Sequence, residues 1–527
     1  MKKQIPGPTR WPGAIIAVLT FLSLGACSVP TNIGPPETFV RKDAAALFSA
    51  AYEMVEAYYV EEPDIPSMAV MGLNGLTILD AAIRAENANG SVTLLKSDKP
   101  VTTFVVPSPN DVVRWGYLTA TFLETARTNS QAIADVSPER LYKIIFQAAF
   151  SKLDRFSRYL TAKEARASRS HREGYTGIGI RLKSNPDGAV ILSVFEDSPA
   201  SDIGLRKGDR IELINGEPIK GNKLEDVILL LRGPSGSSVR IGILREGKSF
   251  QRTAVRRAVI EQTVFAFLRD GAAYLKITGF NEHTRRRLDE RINELNQEAG
   301  GYLKGMILDL RGNRGGMLDV AVNVADLFIA KGPILTTAGR HRDARQEFDA
   351  NAEDVGEDMP LVVLIDSASA SASEVVAAAL QDSGRGLLVG ARSYGKGTVQ
   401  RVRDLPNNGA LNITWAEMRS PAGYTLARFG VFPNICTGDI DEPPHAILER
   451  LRSGKMIDPI MGPLRRLTTE LDAAGQSRLL KRCGDGDHLD TAQDPDLFLA
   501  LGLLGEPALF NRVFDQALLG MERVTKP

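Results

Sequence analysis

Apolar positions recur every third or fourth residue in some stretches of the chain and cluster in short β-prone runs in others. The two patterns divide it into regions. Between 42 and 80, Ala45, Leu47, Phe48, Tyr52, Val55 and Tyr59 fall at helical spacing. The segments 91–95 and 101–106 are rich in β-formers and are closed by Pro107 and Pro109. Helical spacing returns over 115–127 and 138–153, so 43–172 reads as a mostly helical domain with a small β insertion.

Residues 173–260 carry many short strands separated by Gly-rich turns, with one helix over 224–231, which predicts a compact, partly open barrel. From 261 to 442 the two periods alternate. Strands are expected at 273–277, 306–310 and 361–365, and helices at 281–299 and 317–329, which is α/β order around a mostly buried sheet. Residues 443–527 read as a helical, polar extension without a chemical motif. The fold class is therefore α/β multidomain.

Composition narrows the partners. The chain has 527 residues, a 43% hydrophobic fraction, and 64 basic against 64 acidic side chains. That length suits about three or four domains. A balanced, well-mixed charge offers no basic face for nucleic acid. Lys2, Lys3 and Arg10 precede an apolar stretch over 14–25, too short for a comfortable membrane span, which ends Leu24-Gly25-Ala26-Cys27. The segment resembles a bacterial lipoprotein signal peptide (1–27) with lipidation at Cys27. Ser28 follows the cysteine, and 28–42 reads as a tether. This implies a lipid-anchored periplasmic protein sorted to the outer membrane. Cys436 and Cys483 are the remaining cysteines, and in an oxidising compartment they either pair or stay as buried thiols.

The candidate chemistry is a serine ladder and a lysine. Asp366-Ser367-Ala368-Ser369-Ala370-Ser371-Ala372-Ser373-Glu374 follows the apolar run 361–365 and precedes a helical pattern over 375–380. A strand, tight turn and helix start can display a hydroxyl nucleophile. Lys396 lies in Ser393-Tyr394-Gly395-Lys396-Gly397. Composition does not choose among Ser367, Ser369, Ser371 and Ser373. The five histidines (His171, His283, His341, His445, His488) form no HExxH, and no Cys/His cluster suggests a metal. The turn near 312 lacks the ending of a phosphate-binding loop.

The middle region resembles a PDZ domain. Gly177-Ile178-Gly179-Ile180 matches the carboxylate-binding loop, and Lys207-Gly208-Asp209 and Ile214-Asn215-Gly216 match two later turns. A Gly-rich turn aims successive N–H groups at a peptide's terminal carboxylate, and the peptide adds as a strand. Over about 42–435 the chain resembles the C-terminal processing peptidases, or tail-specific proteases. The landmarks run in order: 153–161, the PDZ module, Tyr274-Leu275-Lys276-Ile277, Asp309-Leu310-Arg311-Gly312-Asn313-Arg314-Gly315-Gly316, the serine ladder, Gln381-Asp382 and Gly395-Lys396-Gly397. Arg314 and Pro433-Asn434 depart from the family's usual proline and Pro-Asp.

The resemblance implies a PDZ domain inserted before an α/β, crotonase-like protease core, and a serine endopeptidase using no cofactor. Family spacing selects Ser371 as nucleophile and Lys396 as general base, with Gln400 orienting the lysine by a hydrogen bond. Ser371 at a helix start also suits developing negative charge. A lysine base must be neutral, hence desolvated. Ala372 and Gly316 are the expected oxyanion donors, and Asp382 takes a supporting role. Expected partners are proteins with accessible C-terminal tails. An adaptor and self-association stay open, and the alternative reading is a catalytically silent PDZ scaffold.

Overall fold

The computed structural model describes residues 38–351, 354–356, 359–438, 442–454, 472–484 and 494–522. The site is built on a six-stranded sheet in the order Val264–Arg269, Ala272–Ile277, Met306–Asp309, Leu361–Ile365, Leu387–Gly390, Ile435–Cys436. The first pair is antiparallel and the rest are parallel. Parallel strands need helical crossovers, and these cover one face: Thr284–Glu298, Leu318–Asp326 and Ala372–Asp382. Leu361, Val363 and Ile365 point into that layer with Leu288, Val324 and Val376.

Val362 and Leu364, one residue out of phase, point the other way. They meet Ile447, Leu448, Leu451, Leu499, Leu503 and Phe510 from the helices Pro444–Arg452, Pro495–Leu504 and Pro507–Glu522. Each fully buried side chain of this kind contributes about 1.5–3 kcal/mol. The extension expected to be polar is thus the second cover of the sheet, because the Leu-rich helix Pro495–Leu504 lies within it. Among the described residues no single helix is long and apolar enough to cross a membrane.

A second sheet, in the order Gln346–Ala350, Gly332–Ala338, Ala410–Arg419, Thr398–Asp404, carries the lysine loop at its edge. No local pattern in the sequence predicts this sheet. The short strand Arg158–Leu160 pairs with Ala410–Arg419 and stitches the N-terminal helical domain to the core. That domain packs Arg41–Tyr58 against Val112–Asn129 around Phe48, Tyr52, Trp115 and Phe122. Its β insertion is a three-stranded sheet, Ile83–Ala88, Ser91–Lys96 and Lys99–Val105.

The module expected over 173–260 is rooted on a two-stranded neck, Tyr175–Gly177 with Arg257–Val259. Ion pairs Arg287–Asp197 and Arg181–Glu261 tie it to the domain built on the six-stranded sheet.

Candidate active site

The apolar strand Leu361–Ile365 ends at Asp366, and the carboxylate of Asp366 organises the turn that follows. It accepts from the N–H groups of Ala368 (3.1 Å) and Ser369 (2.8 Å), and from Gly312 N–H at 2.9 Å. The structure then separates the serines. Ser369 is 0% exposed and its hydroxyl bonds Leu310 O and Asp366 Oδ1, both at 2.9 Å. Ser373, also 0% exposed, donates to Asn313 O at 2.8 Å. Ser371 stands between them, partly exposed, at the N-cap of the helix Ala372–Asp382 with φ 59° and ψ −115°. A non-glycine residue in that region costs about 1–3 kcal/mol and persists only where its surroundings impose it.

Those surroundings are the turn 312–316. Ala370 N–H donates to Asn313 O at 3.0 Å, while Asn313 Nδ2 donates to Ile277 O at 3.0 Å. Gly315, at φ 98°, lies so close that a Cβ there would sit 2.9 Å from Ser371 Cβ and 3.0 Å from Ala372 N. Gly315 N–H is taken by Asn313 Oδ1 at 2.8 Å. Among the described residues nothing accepts from the N–H groups of Ala372 or Gly316. Ala372 follows the displayed hydroxyl in the chain, and Gly316 follows the glycine packed against it; a tetrahedral oxyanion is stabilised by two such donors where they converge on it.

Lys396 enters from the loop before the strand Thr398–Asp404. The chain lies flat on its neighbour here, since a Cβ on Gly397 would fall 1.9 Å from Ala427 N. The lysine Nζ lies 5.3 Å from the centroid of the Phe156 ring. Burial, reinforced by the Arg158 charge, holds its ammonium below the usual lysine range, with Glu374 and Asp154 pulling the other way. Phe156 and Arg158 come from the helical domain. Asp154 fixes that segment by accepting from Phe156 N–H (2.7 Å), Ser157 N–H (3.1 Å) and Ser157 Oγ–H (2.5 Å).

Glu374, to which no sequence motif assigns a role, is central here. Its side chain is 0% exposed and joins the two halves of the site. Oε2 accepts from Ser371 N–H (2.7 Å) and Lys396 N–H (2.9 Å). Oε1 accepts from Gly395 N–H (2.7 Å) and Ser393 Oγ–H (2.6 Å). Ser393 Oγ itself accepts from Val431 N–H at 2.7 Å, so its proton points to the glutamate. Burial holds this carboxyl above the usual glutamate range, against the downward pull of the hydrogen bonds. Every partner is a donor, so the geometry fits the ionised form.

Two expectations are placed differently. Gln400 Nε2 donates to Thr398 Oγ1 (2.9 Å) and Thr414 Oγ1 (3.3 Å), not to the lysine. Thr414 in turn donates to Asp154 at 2.9 Å, so Gln400 reaches the lysine pocket through its wall. Asp382 lies at the opposite end of the helix that Ser371 caps, about 16 Å along its axis at 1.5 Å per residue, and accepts from Ala422 N–H at 3.1 Å. Equal helical phase brought it to the right face but not to the right end.

In the PDZ module the loop 178–179 joins Tyr175–Gly177 to Ile180–Asn185, which is the free edge of a six-stranded sheet and lies beside the helix Leu224–Leu231. Ile178 is buried, and its carbonyl accepts from Ala200 N–H at 2.8 Å. Gly179 sits at φ 79°, where a Cβ would fall 2.3 Å from Ser198 Cβ. Its carbonyl accepts from Phe195 N–H at 2.9 Å. An open strand edge with its turn held this way can receive an added strand.

Cys436 and Cys483 form a disulfide with Cα atoms 5.7 Å apart. Cys27, expected to carry the lipid, lies outside the described residues. Among those described, no group of three or more His, Cys, Asp or Glu is arranged to hold a metal ion.

Residues 271–437 match peptidase family S41, and residues 190–245 match a PDZ domain. A carboxy-terminal-processing protease of Bartonella bacilliformis is 34% identical over 313 residues, covering 59% of this chain and 72% of that protein. The carboxy-terminal processing protease CtpB of Bacillus subtilis is 30% identical over 378 residues, covering 70% of this chain and 77% of the relative. A solved photosystem II D1 C-terminal processing protease shares 25% identity, covering 74% of this chain and 92% of its own, with a TM-score of 0.39. With the PDZ domain set before the S41 core, the chain belongs to the carboxy-terminal processing serine proteases of peptidase family S41.

Proposed function

We propose that this protein is a Ser/Lys endopeptidase of the bacterial periplasm, lipid-anchored at Cys27, that takes C-terminal tails of envelope proteins into its PDZ groove and cleaves them. The observation that carries the chemistry is Glu374, which holds the backbone of Ser371 and of Lys396 on one oxygen, beside the open N–H groups of Ala372 and Gly316.

In this reading neutral Lys396 takes the Ser371 hydroxyl proton as Oγ bonds to the scissile carbonyl carbon. The carbonyl oxygen gains the negative charge and is stabilised by the two N–H groups. The C–N bond then breaks, and the lysine ammonium returns its proton to the departing amine. Water, deprotonated by the same lysine, opens the acyl-enzyme and restores Ser371. No step needs a cofactor.

The location rests on the Leu24-Gly25-Ala26-Cys27 sequence, and a disulfide suits an oxidising compartment. Purified protein should cleave an unfolded, tailed substrate such as casein, and Ser371→Ala should not. Full activity in that variant rejects the assignment. Loss of incorporated palmitate in Cys27→Ser is the corresponding test of the anchor.

A further inference from the structure

The turn that offers Gly316 starts at Arg311, and Arg311 is held from outside the family core. Its side chain is 7% exposed, and its guanidinium spans two parts of the chain. On one side Nε and Nη2 donate to Asp309 Oδ1 (3.1 Å) and Oδ2 (2.8 Å), at the end of the strand Met306–Asp309. On the other side Nη1 and Nη2 donate to Asp494 Oδ1 (2.7 Å) and Oδ2 (2.8 Å), and Nη1 also to Asp496 Oδ2 (3.1 Å). The two-pronged contact to Asp494 is the planar fork geometry that fixes direction as well as distance.

The main chain is held at the same point. Arg311 N–H donates to Asp309 Oδ1 at 2.9 Å, and Arg311 O accepts from Lys276 Nζ at 2.6 Å. Lys276 also bonds Asp309 Oδ1 at 2.9 Å, and Tyr274 Oη bonds Asp309 Oδ2 at 2.5 Å. Thr437 donates to Asp496 Oδ1 at 2.6 Å. Burial pulls the Arg311 guanidinium down, and the Asp494 and Asp309 carboxylates more than reverse it, so it stays charged. Burial pushes Asp496 up.

Asp494 is itself rigid. It caps the helix Pro495–Leu504 by accepting from Leu497 N–H at 3.1 Å, and that helix is packed on the sheet through Leu499, Ala500 and Leu503. Residues 494 and 496 lie beyond the 271–437 core.

We propose that Asp494 is a positioning residue for the oxyanion turn, by which the C-terminal extension sets the geometry of residues 312–316 through Arg311. The inference rests on the oxyanion role given above to Gly316. It makes the extension part of the catalytic apparatus rather than only a cover for the sheet.

Asp494→Asn tests it, because asparagine caps a helix as well as aspartate does while losing the charge and one of the two acceptors facing Arg311. In the full-length protein, turnover of a tailed peptide should fall about 10–100-fold, the size of a small misplacement of catalytic groups, with KM changed much less. Amide exchange over 310–317 should quicken while that over 373–380 holds. Phe498→Ala, an exposed position on the same helix, should leave both unchanged. Unaltered turnover and unaltered exchange in Asp494→Asn overturn the proposal. So does an equal loss in Phe498→Ala, which would show a general loosening of the helix. If Asp494→Asn does not fold, Asp496→Asn decides by the same two readouts, with a smaller effect of the same sign expected and no effect overturning the inference. A wild-type protein without peptidase activity would reject the enzymatic reading, and the exchange result would still decide the link between Asp494 and the turn.

Discussion

Glu374 accepts a hydrogen bond from the backbone N–H of Lys396, Oε2 to N at 2.9 Å, and no water is needed to join them. The same oxygen takes Ser371 N–H at 2.7 Å. Ser371 and Lys396, the proposed nucleophile and base, are thereby tied together through their backbones. Glu374→Gln places an NH₂ donor against two N–H donors. Each unsatisfied buried donor costs about 1–3 kcal/mol, so the variant should lose about 2–4 kcal/mol in urea unfolding, and kcat should fall more than KM rises.

In the proposed reaction Lys396 acts as base and must first lose its proton. Lys396→Arg keeps the charge and most of the length but does not deprotonate in a protein. It should therefore be inactive at every pH, with kcat/KM lower by about a thousandfold or more, as when one member of a catalytic unit is removed. Measurable recovery at alkaline pH would count against the general-base role.

Burial, and after it the Arg158 charge, lowers the lysine's pKa. Activity should rise with pH as Lys396 becomes neutral. Arg158→Met removes a cation that repels the ammonium, so the proton is held more tightly and the rising limb of kcat/KM moves to higher pH. The linked effect on stability has a definite sign. The unfolded chain binds the lysine proton more strongly, so this group's contribution to folding grows as pH rises from the depressed folded value towards the ordinary one. A pH profile of the variant superimposing on that of the wild type would remove Arg158 from this role.

The Cys436–Cys483 bond closes a loop of sequence separation 47 and holds the segment whose Cys483 O accepts from Arg392 N–H at 3.0 Å. Arg392 lies four residues before Lys396. Cys483→Ser should reduce stability by about 2–4 kcal/mol, read as a lower denaturant midpoint that reducing agent does not shift further.

The sequence by itself determined the elements whose signal is local. The run 361–365 and the pattern 224–231 became the strand Leu361–Ile365 and the helix Leu224–Leu231, because five consecutive apolar residues suit a sheet buried on both faces and a 3.6-residue period suits one helix face. Family spacing singled out Ser371 and Lys396. Tertiary structure decided what joins them. It buried the hydroxyls of Ser369 and Ser373 in backbone contacts. It carried Asp382 to the far end of the helix, and it aimed Gln400 at Thr398 and Thr414. It also brought Glu374 to Lys396, Phe156 over the lysine, and Asp494 to Arg311. The sheet Gln346–Ala350 to Thr398–Asp404 and the burial of the extension were likewise hidden, since strand pairing and the choice of covering face depend on partners distant in the chain. The physical reason is range. Periodicity reports the few residues within one turn or strand, whereas a buried carboxylate finds its donors across 22 residues for Glu374 and Lys396, and a buried guanidinium finds its acceptor across 183 for Arg311 and Asp494.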